Sequence, residues 1–121
     1  MVYLITGKRN SGKTHYARAL AQELRLQGYK VTVIDGDEFR LITGNKDFSD
    51  EGRIKNLTDA AIKAQKYEKE GHFVLLAFVA PKREWRYMMR GYWKESRVIY
   101  IPGGTLWKNT FYEHPEDQEL R

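Results

Sequence analysis

Eight residues near the start of the chain narrow its fold more than any other feature. Gly7-Lys8-Arg9-Asn10-Ser11-Gly12-Lys13-Thr14 fits the pattern GxxxxGK[ST]. A β-branched run, Val2–Thr6, precedes it, and an amphipathic stripe of Tyr16, Ala17, Leu20, Ala21 and Leu24 follows at helical spacing. A strand, a glycine-bearing turn and a helix in that order form the context in which this pattern binds phosphate. The turn wraps successive backbone N–H groups around phosphate oxygens, and the helix N-terminus adds unpaired donors and a positive dipole end. Gly7, Asn10, Ser11 and Gly12 are therefore candidate cradle residues. Lys13 is placed to contact the outer phosphates, and the Thr14 hydroxyl to ligate Mg²⁺. A nucleoside triphosphate with Mg²⁺ is the expected ligand. GTPases, ATPases and small kinases all share the loop, so it names a ligand and leaves the reaction open.

The rest of the chain reads as α/β with a short, mainly parallel sheet and helices on both faces. Strands are expected at Val2–Thr6, Val31–Ile34, Phe73–Ala80 and Val98–Ile101, the third almost wholly apolar, as befits a strand covered on both faces. Gly28 is placed to end the first helix. A second helical stripe runs through Ile54, Leu57, Ala61 and Ala64, with Ser49 as N-cap, Asp50 and Glu51 in the first turn, and Gly71 as its stop. Trp85, Met88, Met89 and Tyr92 mark a third. The 121 residues read as one domain, 1–121, without repeats or linkers. No apolar run is long enough to span a membrane, and the first residues lack the basic region and cleavage site of a signal peptide. Cysteine is absent, which removes disulfides and thiolate chemistry and fits a cytoplasmic location. With 21 Lys+Arg against 16 Asp+Glu, the net charge of +5 favours small anionic ligands such as nucleotides without demanding nucleic acid.

Two further segments carry chemistry. The second strand ends in Asp35-Gly36-Asp37-Glu38-Phe39-Arg40. Ligands of open parallel sheets bind at the carboxyl ends of strands, so these carboxylates can serve a metal or a substrate hydroxyl. Asp-Gly is also ordinary turn chemistry, with Asp37 as a plain helix cap. Later, Phe48-Ser49-Asp50-Glu51-Gly52-Arg53 leads to Asn56, and Arg53 and Asn56 share one helix face.

Together these segments resemble the adenylylsulfate kinases. That family shows a GLSGxGKT-type loop, then DGDxxR, FSxxxRxxN, and a strand ending in Pro-x-Arg. This chain has Gly7–Thr14, Asp35–Arg40, Phe48–Asn56 and Ala80-Pro81-Lys82-Arg83 in the same order, and Tyr112-Glu113-His114-Pro115-Glu116 is similar to the family's C-terminal Tyr-Glu-x-Pro-Glu. The resemblance covers roughly residues 1–101. It implies a minimal P-loop kinase fold and transfer of the ATP γ-phosphoryl group to the 3′-hydroxyl of adenosine 5′-phosphosulfate. Lys13 and Asp37 become the catalytic candidates, Asp37 accepting the hydroxyl proton, with Thr14 and Asp35 at the metal. Asp35, Arg40, Phe48, Arg53, Asn56, Lys82 and Arg83 become the substrate-binding candidates. Phe48 would stack on the adenine, and the arginines suit the anionic phosphosulfate. Family relatives are often dimers, so a homodimer is implied.

Three departures from the family stand out. Lys8, Arg9 and Asn10 replace the usual Leu-Ser-Gly, adding two positive charges beside the phosphates, although Asn tolerates left-handed backbone. Few residues follow Pro102 where the family carries a basic lid and a second adenine contact, for which Trp107 and Phe111 are the candidates. Lys82, Arg83, Arg86, Arg90 and Lys94 form a basic ridge, expected to be a solvated face, or else a substitute for the lid cations or a surface for nucleic acid. Two other functions stay open: a kinase acting on another nucleoside, polynucleotide end or small alcohol, and a non-catalytic nucleotide- or nucleic-acid-binding module.

Overall fold

The structure is a computed structural model that describes residues 1–106 and 110–121. Its elements are β1 (Val2–Thr6), α1 (Lys13–Leu26), β2 (Val31–Asp35), α2 (Gly36–Thr43), α3 (Asp50–Lys69), β3 (Phe73–Ala77), α4 (Arg83–Arg90) and β4 (Ser96–Tyr100). The four strands form one sheet in the order β2-β3-β1-β4, with every pair parallel.

The two-residue period of β1 sorts its side chains between two cores. Val2 and Leu4 face a layer made by α2, α3 and α4, packing with Leu57, Ala61, Trp85 and Met89. Ile5, with Tyr3 partly buried beside it, faces α1, where Ala17 and Ala21 let the helix lie close against Leu75 and Ala77. Helices thus cover both faces, as the sequence pattern indicates. The Ser49 side chain accepts from the Gly52 N–H at 3.2 Å, so α3 starts at its expected cap.

Several boundaries shift: β2 runs on to Asp35, and β4 spans Ser96–Tyr100 rather than 98–101. β3 ends at Ala77, three residues early, because the chain bends away: Thr6 Oγ1 donates to Val79 O at 2.6 Å and Ala80 takes a φ of 41°. α4 stops at Arg90, leaving Tyr92 beyond it but still packed against the core. α2 replaces what reads in sequence as a carboxylate-rich turn. Its cap is Asp35, not Asp37: Asp35 Oδ1 accepts from the N–H groups of Asp37 at 3.0 Å and Glu38 at 3.1 Å. Among the described residues no helix is long and apolar enough to cross a membrane.

The basic ridge is solvated only in part: Lys94 is exposed, whereas the arginines turn toward the C-terminal segment. Arg86 is fully buried, and Nε and Nη2 donate to the two carboxylate oxygens of Glu119 at 2.7 and 3.2 Å. Arg86 also donates to Ala80 O and Glu113 O, at 2.6 and 2.8 Å. Arg83 Nε reaches His114 O at 2.8 Å, and Arg90 Nη1 reaches Glu119 O at 3.2 Å. These cations fasten residues 112–119 onto α4, with the buried Tyr112 hydroxyl 2.8 Å from Thr6 Oγ1. These three arginines are therefore engaged in packing the C-terminal segment against α4.

Candidate active site

The P-loop leaves β1 at the point where the sheet order reverses, with β3 on one side and β4 on the other. Such a switch point opens a crevice at the strand carboxyl ends. The loop takes its shape from three positions. A Cβ at Gly7 would stand 2.5 Å from Ile101 O, so only glycine lets the chain just after β4 pass this close. Asn10 adopts left-handed backbone, φ 58°, and Gly12 caps α1 at φ 94°. The Asn substitution thus preserves the turn. Lys13 Nζ donates to Lys8 O at 2.7 Å, folding the side chain back over the loop. Burial holds the Lys13 ammonium below its ordinary pKa and Arg9 adds to that, while Asp37 and Asp35 oppose it.

Two cavities meet here. The smaller, 270 Å³, is lined by P-loop residues including Asn10, Gly12, Lys13 and Thr14, together with Asp35 and Asp37. The larger, 740 Å³, lies between α2, α3 and the 78–81 segment and is lined by Arg40, Phe48, Arg53 and Asn56 among others. Asp37 lines both. In the smaller cavity the Thr14 hydroxyl donates to Asp35 Oδ2, so the two oxygens meet at the loop's mouth. Hydroxyl and carboxylate oxygens suit a hard cation such as Mg²⁺, which is held through few protein ligands and the phosphates themselves. The Ser11 hydroxyl is buried without a hydrogen-bond partner, as is Asn56 Oδ1 in the larger cavity. Buried polar atoms without partners are costly, and a bound ligand is one way to satisfy them.

The larger cavity brings two guanidinium groups and two exposed aromatic rings to one wall. Arg40 and Arg53 both line it, and Arg40 is held below its ordinary pKa by burial and by the like charge of Arg53. Two cations brought together lower each other's cost only when an anion joins them. Arg40 is steadied by Asn45 O, at 3.2 Å from Nη1, and by Asp47 O at 3.4 Å. Phe48 is 70% exposed, with the Arg40 guanidinium 4.5 Å from its ring centroid. Phe111 lines the same cavity and is 57% exposed, leaving ring surface available.

Of the residues expected at the site, Lys82 and Arg83 line neither cavity. Lys82 Nζ sits 3.4 Å from Asp50 and over the Trp85 and Phe111 rings, while Arg83 faces His114 and Glu116. Trp107 lies outside the described residues. Trp85, read from its periodicity as core, does pack in the core but also forms a cavity wall beneath Arg53, 5.5 Å from the ring centroid. The stripe could reveal only the packing, since one large ring has two faces and periodicity reports one.

Comparison with known proteins places this geometry in a family. The family model described as adenylylsulphate kinase matches residues 1–103. The adenylyl-sulfate kinase of Bacillus licheniformis is 43% identical over 101 residues, covering 80% of this chain and 51% of that protein. Among solved structures, the Mycobacterium tuberculosis APS kinase in complex with AMPPNP and APS is 25% identical with a TM-score of 0.79, covering 84% of this chain and 61% of that one. The hexameric APS kinase of Thiobacillus denitrificans is 29% identical with a TM-score of 0.74, covering 82% of this chain and 21% of that one. The chain spans about half the length of the curated relatives it matches.

Proposed function

Because the chain belongs to the adenylylsulphate kinase family, we propose that it transfers the γ-phosphoryl group of ATP to the 3′-hydroxyl of adenosine 5′-phosphosulfate. The observation that carries this reading is the position of Asp37, a residue that lines both the P-loop cavity and the arginine-lined cavity. A base there is within reach of a hydroxyl entering from one side and a phosphoryl group from the other.

Phosphoryl transfer asks the protein mainly for positioning and charge neutralisation. The P-loop N–H groups and Lys13 hold the triphosphate. Thr14 and Asp35 would hold Mg²⁺, which when bound neutralises charge on the β- and γ-phosphates. Asp35 has a second duty, since capping α2 with Oδ1 fixes the register that sets Asp37 at the boundary. Arg40, Arg53 and Asn56 bind the phosphosulfate, with Asn56 Oδ1 gaining the partner it lacks. Phe48, with Phe111 lining the same cavity, takes the adenine. Asp37 accepts the proton of the 3′-hydroxyl as its oxygen attacks. The substrates are small nucleotides. A self-associated state is proposed on family grounds, the Thiobacillus denitrificans relative being hexameric.

The test is product analysis by anion-exchange chromatography. The protein and its Lys13→Ala variant are incubated with Mg·ATP, with and without adenosine 5′-phosphosulfate. A 3′-phosphorylated product from the unaltered chain alone is the expected result. ATP turnover without that product would overturn the acceptor. Nucleotide binding with no turnover at all would instead indicate a binding module.

A further inference from the structure

Three strand ends meet at the boundary of the two cavities. In the sheet order β2-β3-β1, the exit of β3 lies between the exit of β2, which leads to Asp37, and the exit of β1, which leads to the P-loop. Residues 77–79 are therefore the spacer between them. On the β2 side Asp35 pairs with Ala77, and a Cβ at Gly36 would stand 3.2 Å from both Ala77 O and Phe78 Cδ2. On the β1 side the Phe78 N–H donates to Ile5 O at 3.1 Å, and Thr6 Oγ1 donates to Val79 O at 2.6 Å. Phe78 and Val79 line both cavities, as do Gly36 and Asp37. The path needs such ties, because Ala80, next in line, takes a left-handed φ of 41° that a side chain disfavours. Thr6 is fully buried and its single proton goes to Val79 O, so the Tyr112 hydroxyl at 2.8 Å is the donor to Thr6. Burial holds the Tyr112 hydroxyl above its ordinary pKa, which keeps that proton in place. Tyr112, Thr6 and Val79 thus form one hydrogen-bonded chain from the docked C-terminal segment to the spacer.

We propose that Thr6 is a positioning residue for phosphoryl transfer: its hydroxyl, oriented by Tyr112, fixes the 77–79 spacer and with it the separation of Asp37 from the P-loop. The inference rests on the kinase reading above. In that reaction the acceptor oxygen bonds to the γ-phosphorus as the bond to the β,γ-bridging oxygen breaks. The electron pair of the broken bond stays on the β-phosphate of ADP, and the hydroxyl proton passes to Asp37. Base and phosphoryl group are carried by different strands, and a misplacement of about 1 Å between reacting groups costs on the order of 10²-fold in rate. A valine at position 6 has the shape of threonine but no donor. Val79 O then loses its partner, and Ala80 is free to relax toward ordinary backbone. The Thr6 backbone stays fixed, because its carbonyl accepts from the Ile101 N–H at 2.9 Å. The P-loop therefore keeps its grip on the triphosphate while the spacer shifts against Asp37, and the loss falls on rate rather than on nucleotide binding.

The test compares Thr6→Val, Thr6→Ser and Tyr112→Phe with the unaltered chain, with rates expressed per folded molecule from urea unfolding. Turnover with Mg·ATP and adenosine 5′-phosphosulfate is read as ADP release, which any acceptor gives, and the product is identified by anion-exchange chromatography. Thr6→Val should lower kcat by about 10–100-fold while calorimetric affinity for Mg·ADP stays within about threefold. Thr6→Ser keeps the hydroxyl and should return kcat to within about threefold of the unaltered chain. Tyr112→Phe leaves Thr6 its bond to Val79 O and should fall between the two. A cycle with Asp37→Asn separates positioning from a purely structural role. If Thr6 acts through Asp37, adding Thr6→Val to Asp37→Asn should cost less than about threefold. A Thr6→Val rate within about twofold of the unaltered chain overturns the proposal, as does a loss of rate matched by lost ADP affinity. Failure of Thr6→Ser to recover, or full additivity with Asp37→Asn, overturns it equally. The expected Thr6 pattern without 3′-phosphorylated product upholds Thr6 and overturns only the adenosine 5′-phosphosulfate acceptor. No ADP release from the unaltered chain overturns both.

Discussion

Glu119→Ala removes the carboxylate that pairs with Arg86 and leaves a guanidinium with no route to water. Both side chains are buried, at 0% exposure for Arg86 and 1% for Glu119, and the contact is bidentate. Arg86 would keep its bonds to Ala80 O and Glu113 O but lose its counter-charge. Breaking a buried pair from one side costs about 3–5 kcal/mol, against about 0–1 kcal/mol for a solvent-exposed pair. For a chain of this size that corresponds to a fall in Tm on the order of 10–20 °C. Urea unfolding followed by tryptophan fluorescence reads it, because Trp85 and Trp93 pack in the same core as α4. Arg86→Ala and the double variant complete a cycle that isolates the pair from the two carbonyls Arg86 also serves, with an expected coupling of about 2–3 kcal/mol. A coupling below about 0.5 kcal/mol would mean the pair behaves as a surface contact, and the account of how residues 112–119 are held would fail.

Three other perturbations have defined outcomes. Arg53→Ala should raise the KM for adenosine 5′-phosphosulfate by about 10–100-fold while leaving that for ATP within about twofold, because Arg53 lines only the larger cavity; steady-state kinetics with each substrate varied separates the two. Gly7→Ala puts a methyl group 2.5 Å from Ile101 O, forcing the loop from the chain just after β4 and lowering nucleotide affinity by about tenfold or more, read by calorimetric titration with Mg·ADP. Burial alone would push Glu68 up, but the N–H groups of Lys94 and Glu95 at 2.8 and 3.2 Å and the Met1 ammonium outweigh it and hold the carboxyl below its ordinary range. A depressed carboxyl contributes stability above its unfolded pKa of about 4.3 and loses it as pH falls through the folded value. The stability difference between the unaltered chain and Glu68→Gln, measured in urea, should therefore be full at pH 6 and shrink steadily below about pH 4.

Local chemistry determined what the sequence revealed. β1, the P-loop and α1 form one continuous segment whose pattern depends on neighbours a few residues away, and Ser49 caps α3 by bonding three residues ahead. The DGDxxR and FSxxxRxxN segments were readable for the same reason: each puts its polar groups on one short stretch, and the structure brings Asp37, Arg40, Phe48, Arg53 and Asn56 to one cavity. The fate of the basic ridge needed the tertiary structure. Arg86 and Glu119 are 33 residues apart, and no periodicity tells a solvated arginine from one buried against a distant carboxylate. Trp85 likewise could show only its helical phase, although its ring serves both core and cavity. The boundary between the cavities is the clearest case, because Thr6, Asp37 and Val79 come from three separate segments. The sheet order β2-β3-β1-β4 brings those segments together, and sheet order is set by which faces can be buried at once rather than by any short run of residues.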